Sequence, residues 1–339
     1  MTIFLNWLIL IDMINQTQKA QMIQEVIETY GTQVSRMDLM SIANKYGINP
    51  VFMTNNKIDR GLYDISEFAV VAEAQPKKVE LSDEDILNSQ RRRFRTLSRM
   101  TEGVISDTVR SMIVSGPAGI GKTYTIEGML ESAANNDEIK FTAIRGFVRA
   151  TGLFRLLWEN RHENNVILLD DADSAFQDEI SLNLLKAALD STKRREISWR
   201  SEKEFEDEAG EGIPNTFEFR GSIIFITNVN FESLIHQGNK LAPHFAALIS
   251  RSYYIDLNFN SPKEYLLRIK DVLESTDMAT SIGLSNRQSD KLMTFIEQHY
   301  LRLRELSLRM VQKLAKIMIF TKNDEDFLDV VETTCFKSR

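Results

Sequence analysis

The run SMIVSGPAGIGKTYTIEGMLESA, from Ser111 to Ala133, constrains the fold more than any other part of the chain. A short apolar strand candidate, Ser111 to Ser115, leads into a loop of the pattern Gly-x4-Gly-Lys-Thr and out into text with helical apolar spacing. Gly116, Gly119 and Gly121, with Pro117, Ala118 and Ile120 between them, let the backbone turn tightly. Its amides and the following helix N-terminus then face negative oxygens. Lys122 adds a mobile positive charge, and Thr123 a hydroxyl suited to a magnesium ion bridging β- and γ-phosphates. Strand, loop and helix in this order form a Walker A motif. They predict an α/β fold around a parallel sheet.

A second strand candidate, NVILLDDAD, is apolar from Val166 to Leu169 and ends on Asp170, Asp171 and Asp173. This is a Walker B pattern. A carboxylate at the C-terminal end of a strand in an open parallel sheet reaches the phosphate crevice, so Asp170 is the expected magnesium partner, commonly through water. Asp171 is expected to orient or polarise the attacking water, in a place usually held by a longer glutamate. Asp173 stands between helping there and capping a helix. Further on, FRGSIIFITNVN supplies a strand, Ser222 to Thr227, ending at Asn228. LAPHFAALISRSYYIDLNF supplies a helix candidate with Arg251 and then a strand, and LRELSLRMVQKLAKIMIF places Arg309 at the start of an amphipathic helix.

Walker A followed by these elements in this order resembles the AAA+ ATPase family, over about residues 91–322, and in particular AAA+ ATPases of tailed phages. The resemblance implies a P-loop NTPase core with a parallel sheet flanked by helices and a C-terminal helical lid. It implies ATP and Mg2+ as ligands and Asn228 as a sensor that holds the water or γ-phosphate. Arg251 takes the place of the helix-borne arginine finger of clamp-loader relatives, acting in trans, and Arg309 that of a lid arginine reaching back to the nucleotide. Asp171, Asn228 and Arg251 are thus the expected catalytic set, in a hexameric ring or helical assembly of identical subunits.

Composition limits the rest. With 43% hydrophobic and 26% charged residues the chain of 339 residues is of folded type. Its 41 Lys and Arg against 48 Asp and Glu give a net charge of -7, so contact with nucleic acid has to come from local patches. The lone cysteine, Cys335, excludes an internal disulfide framework and a cysteine-based metal site, which suits a reducing cytoplasm, the host's for a phage-encoded protein. The apolar opening MTIFLNWLIL is too short to span a membrane and reads as a short buried strand or helix, with Met13 as an alternative start. The expected organisation is a helical or winged-helix-like accessory domain at 1–75 and a linker at 76–90. A core at 91–260 follows, with a hairpin insertion at 193–220, and then a lid at 261–339.

Several segments are candidates for contact with a macromolecular substrate. Phe147 and Arg149 stand where AAA+ rings often present a pore loop, although Phe147 also reads as a core residue. The insertion carries Lys193, Arg194, Arg195, Trp199 and Arg200 at its base, and a mostly acidic block from Glu202 to Glu211 that should repel phosphates. The run Arg91, Arg92, Arg93 and Arg95 reads equally as a phosphate surface, a solvated helix face or a subunit contact. The expected function is an ATP-hydrolysing motor or remodelling ATPase acting on nucleic acid, DNA above all, or on a nucleoprotein complex. The alternatives are a protein-remodelling ATPase and an assembly switch that does not translocate.

Overall fold

The computed structural model describes residues 22–46, 48, 57–59, 61–65, 81–200, 205–207, 210–238 and 240–338. The chain divides into two compact units, Met1–Glu80 and Leu81–Arg339. The opening apolar stretch, Met13, the segment 51–56 and the stretch 76–80 of the expected linker lie outside the described residues.

In the first unit a helix at residues 22–30 (α1) precedes β1 (Gln33–Ser35) and α2 (Arg36–Lys45). Ser35 ends β1 and caps α2, its hydroxyl accepting the Asp38 amide at 3.2 Å. Two further short strands, β2 (Lys57–Asp59) and β3 (Leu62–Asp64), complete an antiparallel sheet in the order β1-β3-β2. Met22, Val26, Val34, Leu39, Ala43 and Ile65 form its core.

The second unit opens with α3 (Asp83–Ile105), a helix of 23 residues, so the expected linker already gives way to helix at Ser82. The reason is local. Ser82 accepts the Asp85 amide, and Asp83, Glu84 and Asp85 in the first turn complement the helix dipole. The chain then builds β4 (Ser111–Ser115), α4 (Lys122–Asn135), β5 (Lys140–Arg145), α5 (Ala150–Glu159), β6 (Asn165–Asp170) and α6 (Glu179–Ala188). After the insertion come β11 (Ser222–Thr227), α7 (Phe231–His236), α8 (Ala242–Arg251) and β12 (Tyr253–Asp256). The five strands pair in parallel in the order β12-β4-β11-β6-β5.

Strands buried on both faces read as continuous apolar runs, and β4 and β11 are buried at every position. Successive side chains serve opposite layers. Met112 and Val114 face α3 and α4 with Phe94, Leu97, Ile126 and Leu130, whereas Ile113 faces the layer of Leu153, Leu182, Leu185 and Leu248. The sheet is therefore sandwiched, and the C-terminal ends of β4, β6 and β11 meet on one edge of the sandwich.

Among the described residues the insertion contains two short antiparallel pairs, β7 (Glu196–Ser198) with β10 (Thr216–Glu218) and β8 (Phe205–Glu206) with β9 (Gly212–Ile213). The lid contains α9 (Pro262–Ser275), α10 (Met278–Ile282), α11 (Asn286–His299), α12 (Leu308–Phe320) and α13 (Asp324–Thr334). Leu292, Ile296, Met310, Leu314, Phe327 and Val331 form its separate core, in which Cys335 is also buried. Among the described residues no helix is long and apolar enough to cross a membrane.

Candidate nucleotide site

β4 ends at Ser115, α4 begins at Lys122, and the glycine-rich loop lies between them. Gly121 occupies the N-cap position at φ 103 and supplies no side chain, and no acidic residue occupies the first turn. The first turn of α4 thus carries no acidic side chain of its own to cap its amides, which suits them to an external anion. Gly119, at φ 72, faces the lid so closely that a Cβ there would stand 2.7 Å from Ser307 Cβ. Only glycine fits both the backbone angle and the space.

Lys122 is 5% exposed. Its ammonium donates to the Gly116 carbonyl, to Pro117 O at 2.9 Å and to Asn228 Oδ1 at 3.0 Å. Burial pushes it down to about 8, against the opposing pull of the Asp171 and Asp170 carboxylates. The Thr123 hydroxyl donates to Asp170, 3.1 and 3.2 Å from its two oxygens. Burial also raises the Asp170 carboxyl above the ordinary carboxylate range, while the Thr123 hydrogen bond works the other way. Arg145, paired in register with Asp170 across β5 and β6, brings Nε within 3.7 Å of it and also holds Glu127.

Asp171 sits one residue past β6 in the left-handed region, at φ 50. Its amide donates to Ile226 O at 3.0 Å, which pins the turn, and its carboxylate accepts Asn228 Nδ2 at 2.9 Å. Asn228, just past β11, therefore spans Lys122 with its oxygen and Asp171 with its nitrogen. Asp173 accepts the Thr227 hydroxyl at 2.6 Å, and burial raises its carboxyl. From the lid, the Leu308 amide donates to Gly119 O at 2.7 Å, and Arg309 Cγ passes 3.5 Å from the place of a Gly119 Cβ. Lys122, Thr123, Asp170, Asp171, Asn228 and Arg309 all line one cavity of about 920 Å³.

These groups suit a nucleoside triphosphate with magnesium. The loop supplies amides and a lysine whose present acceptors are uncharged, and the Thr123 hydroxyl beside one carboxylate is a hard-oxygen donor pair. Among the described residues no group of three or more His, Cys, Asp and Glu side chains could hold a metal by itself.

No known family profile matches the chain. Over 281 residues it is 40% identical to the uncharacterized 36.7 kDa protein of the nrdC–mobD intergenic region of Enterobacteria phage T4, a match that spans 82% of this chain and 84% of that protein. The chain belongs to the family of that phage protein. Its glycine-rich loop between β4 and α4, the Asp170-bearing strand, the Asn228-bearing strand between β4 and β6 in the sheet and the helical lid give it the α/β fold of a P-loop NTPase, with a parallel sheet flanked by helices. Among solved structures it is similar to NtrX from Brucella abortus in complex with ATP, at 16% identity and a TM-score of 0.43 over 77% of this chain and 58% of that one. It is also similar to domain III of the replication initiation protein DnaA from Thermotoga maritima, at 10% identity and a TM-score of 0.40 over 70% and 91% of the two chains. The chain thus spans somewhat under two thirds of NtrX.

The remaining expected residues lie apart from the cavity. Arg251 ends α8, with Nη1 on Ala247 O at 3.1 Å and Nε 3.6 Å from Asp190. Its carbonyl accepts the Ser111 hydroxyl at 2.9 Å, at the start of β4, so it stands at the opposite end of that strand from the phosphate loop. Phe147 is 71% exposed on the loop after β5, with the Arg149 guanidinium 5.7 Å from its ring, so its core reading gives way to a surface one. Trp199 packs between Phe154 and Phe205, and its ring is part of the aromatic base of the insertion.

Arg194 is exposed, but Arg195 is 3% exposed, donates to Ala188 O at 3.0 Å and lies against the Phe219 ring. Burial moves its guanidinium down to about 10. Arg195 is therefore a buried structural arginine and presents no surface to phosphates. Two members of the arginine run are likewise used internally, Arg91 on Asp271 at 2.7 Å and Arg93 on Asn258 O at 3.1 Å. Sequence reasoning missed Arg145 and Arg268, both beside the loop or the Walker B carboxylate. An arginine closing a strand of a parallel sheet was a legible signal for the first. An arginine among the three cations of an amphipathic lid helix was a weak one for the second.

Proposed function

We propose that the protein is a magnesium-dependent ATPase that converts ATP and water to ADP and phosphate, and that its assembled subunits remodel nucleic acid or a nucleoprotein complex. The observation that carries the hydrolytic part is the chain Lys122–Asn228–Asp171 beside the Thr123–Asp170 pair in one cavity. The loop amides and Lys122 bind the phosphates. Asp171, fixed by Asn228, orients the attacking water and draws its proton. Thr123 and Asp170 would hold magnesium, which would offset negative charge on the phosphates. Arg309 brings the lid to the phosphates. Arg251, at the far end of β4 from its own loop, serves the cavity of a neighbouring copy, where its guanidinium meets developing charge.

A protein substrate is the second reading, favoured by the exposure of Phe147 beside Arg149. Turnover of ATP by wild type and K122A, alone and with single-stranded DNA, duplex DNA, RNA or an unfolded protein, tests the whole reading. Normal turnover in K122A overturns the site. Stimulation by protein alone selects the second reading, and no stimulation by any of them selects an assembly switch.

A further inference from the structure

The phosphate loop is tied to the lid through two successive carbonyls. Gly119 O accepts the Leu308 amide at 2.7 Å, and Ile120 O accepts Arg268 Nε at 3.4 Å. Arg268 is firmly placed. Its side chain is 12% exposed, its Cζ lies 3.6 Å over the Phe94 ring, and Nη1 donates to Asp271 at 3.1 Å. Asp271, 5% exposed, also accepts Arg91 Nε at 2.7 Å. Phe94 and Arg91 both belong to α3, so lid helix and α3 jointly hold the guanidinium in one pose.

In a trans peptide the carbonyl of one residue and the amide N–H of the next point in opposite directions. Holding Gly119 O against the lid turns the Ile120 amide away from it, and holding Ile120 O does the same for the Gly121 amide. Released from those bonds, either peptide can rotate and offer an oxygen where an anion needs a donor. Gly119 at φ 72 and Gly121 at φ 103 ease such rotation, since each of the two peptides has a glycine on one flank and only Ile120 on the other.

We infer that Arg268 is a positioning residue for the phosphate loop, fixing with the Leu308 amide the direction in which the Ile120 and Gly121 amides face. The inference rests on the nucleotide-site reading above. Arg268 also lines the cavity, and the consequence of the inference is that polyphosphate affinity depends on this side chain through the loop carbonyls it holds, with Asp271 and Arg91 as its supports.

The test compares ATP, ADP and inorganic tripolyphosphate binding to wild type, R268M, R268K and R91M by calorimetry, with thermal melting and the amide NMR signals of Ile120 and Gly121 measured alongside. R268M is expected to lose about tenfold in affinity for all three ligands alike, the size of one lost charge-assisted hydrogen bond. R268K should recover part of that loss, R91M should lose less, and the two amide signals should shift in proportion. A loss for ATP and ADP that spares tripolyphosphate would mean that Arg268 touches the base or ribose, and overturns the inference. So does a loss for ATP and tripolyphosphate that spares ADP, which would place it at the terminal phosphate. Unchanged affinities, or a lower melting temperature with unmoved amide signals, overturn it as well. If R268M does not fold, R268K and R91M decide by the same criteria. Failure of wild type to bind any of the three would count against the nucleotide site itself, a separate outcome.

Discussion

Asn228 and Asp171 are hydrogen-bonded side chain to side chain, Nδ2 to Oδ1 at 2.9 Å, across the C-terminal ends of neighbouring strands. The same amide accepts from Lys122, so one residue fixes both the Asp171 carboxylate and the Lys122 ammonium. N228A should lower turnover about 100-fold with nucleotide binding nearly kept, in line with loss of one preorganised donor. Parallel kcat and Kd measurements check this; equal losses in both would assign Asn228 to binding alone.

Lys122 predicts a pH signature. Its folded value near 8 lies below the ordinary 10.5, so between those two values the unfolded chain carries a proton that the folded chain lacks, and stability rises with pH there. Wild type should gain about 2 kcal/mol relative to K122M between about pH 7 and pH 10. Denaturant melts of both proteins across that range provide the measurement. A flat difference would show that the ammonium is not desolvated.

Gly119 should not tolerate alanine. At φ 72 the substitution costs about 1–2 kcal/mol in the backbone alone. The added Cβ also collides with Ser307 and unseats α12 from the loop. G119A should therefore lose nucleotide affinity, and S307G in the same chain should restore part of it, since glycine remains a fair N-cap. Absence of any rescue would detach the clash from the defect.

Adjacent arginines should behave oppositely. R195A removes a buried side chain bonded to Ala188 O and is expected to cost about 2–3 kcal/mol of stability. R194A, on an exposed position, should stay within about 0.5 kcal/mol, and it is the one of the two that can alter a response to nucleic acid. Chemical melts and DNA-stimulated turnover separate the two effects.

For Arg251 the prediction concerns mixtures. R251A and D171A are each expected to lose most turnover, and mixing them should restore part of it, because some interfaces then pair an intact Arg251 with an intact Asp171. Mixed assembly verified by labelled subunits, with no recovery, would place Arg251 outside catalysis.

The sheet and the phosphate loop were legible because their signals are contiguous, each strand an apolar run that ends on its functional residue. The partnerships were less so. Nothing local to Asn228 says that its oxygen takes Lys122 while its nitrogen takes Asp171, since these residues meet only when three strand ends align. Arg268 lies far along the chain from Ile120 and was passed over for the same reason. Arg195, by contrast, could have been placed. Arg194 to Ser198 alternate exposed and buried, so Arg195 is in phase with buried Ile197 on the inner face. Ser82 and its acidic first turn likewise announced a helix where a linker was expected.

β4 gives each subunit a direction. Ser111 at one end holds the Arg251 carbonyl, and Ser115 at the other opens into the phosphate loop, ~13 Å further on at strand rise. On the proposed arrangement, a molecule that donates at one end and receives at the other joins its copies head to tail. Two subunits in such a row share one complete centre, and the first loop and the last arginine of any open row stay idle. Turnover per subunit should then climb with protein concentration even at saturating ATP, and level off only when rows are long or closed.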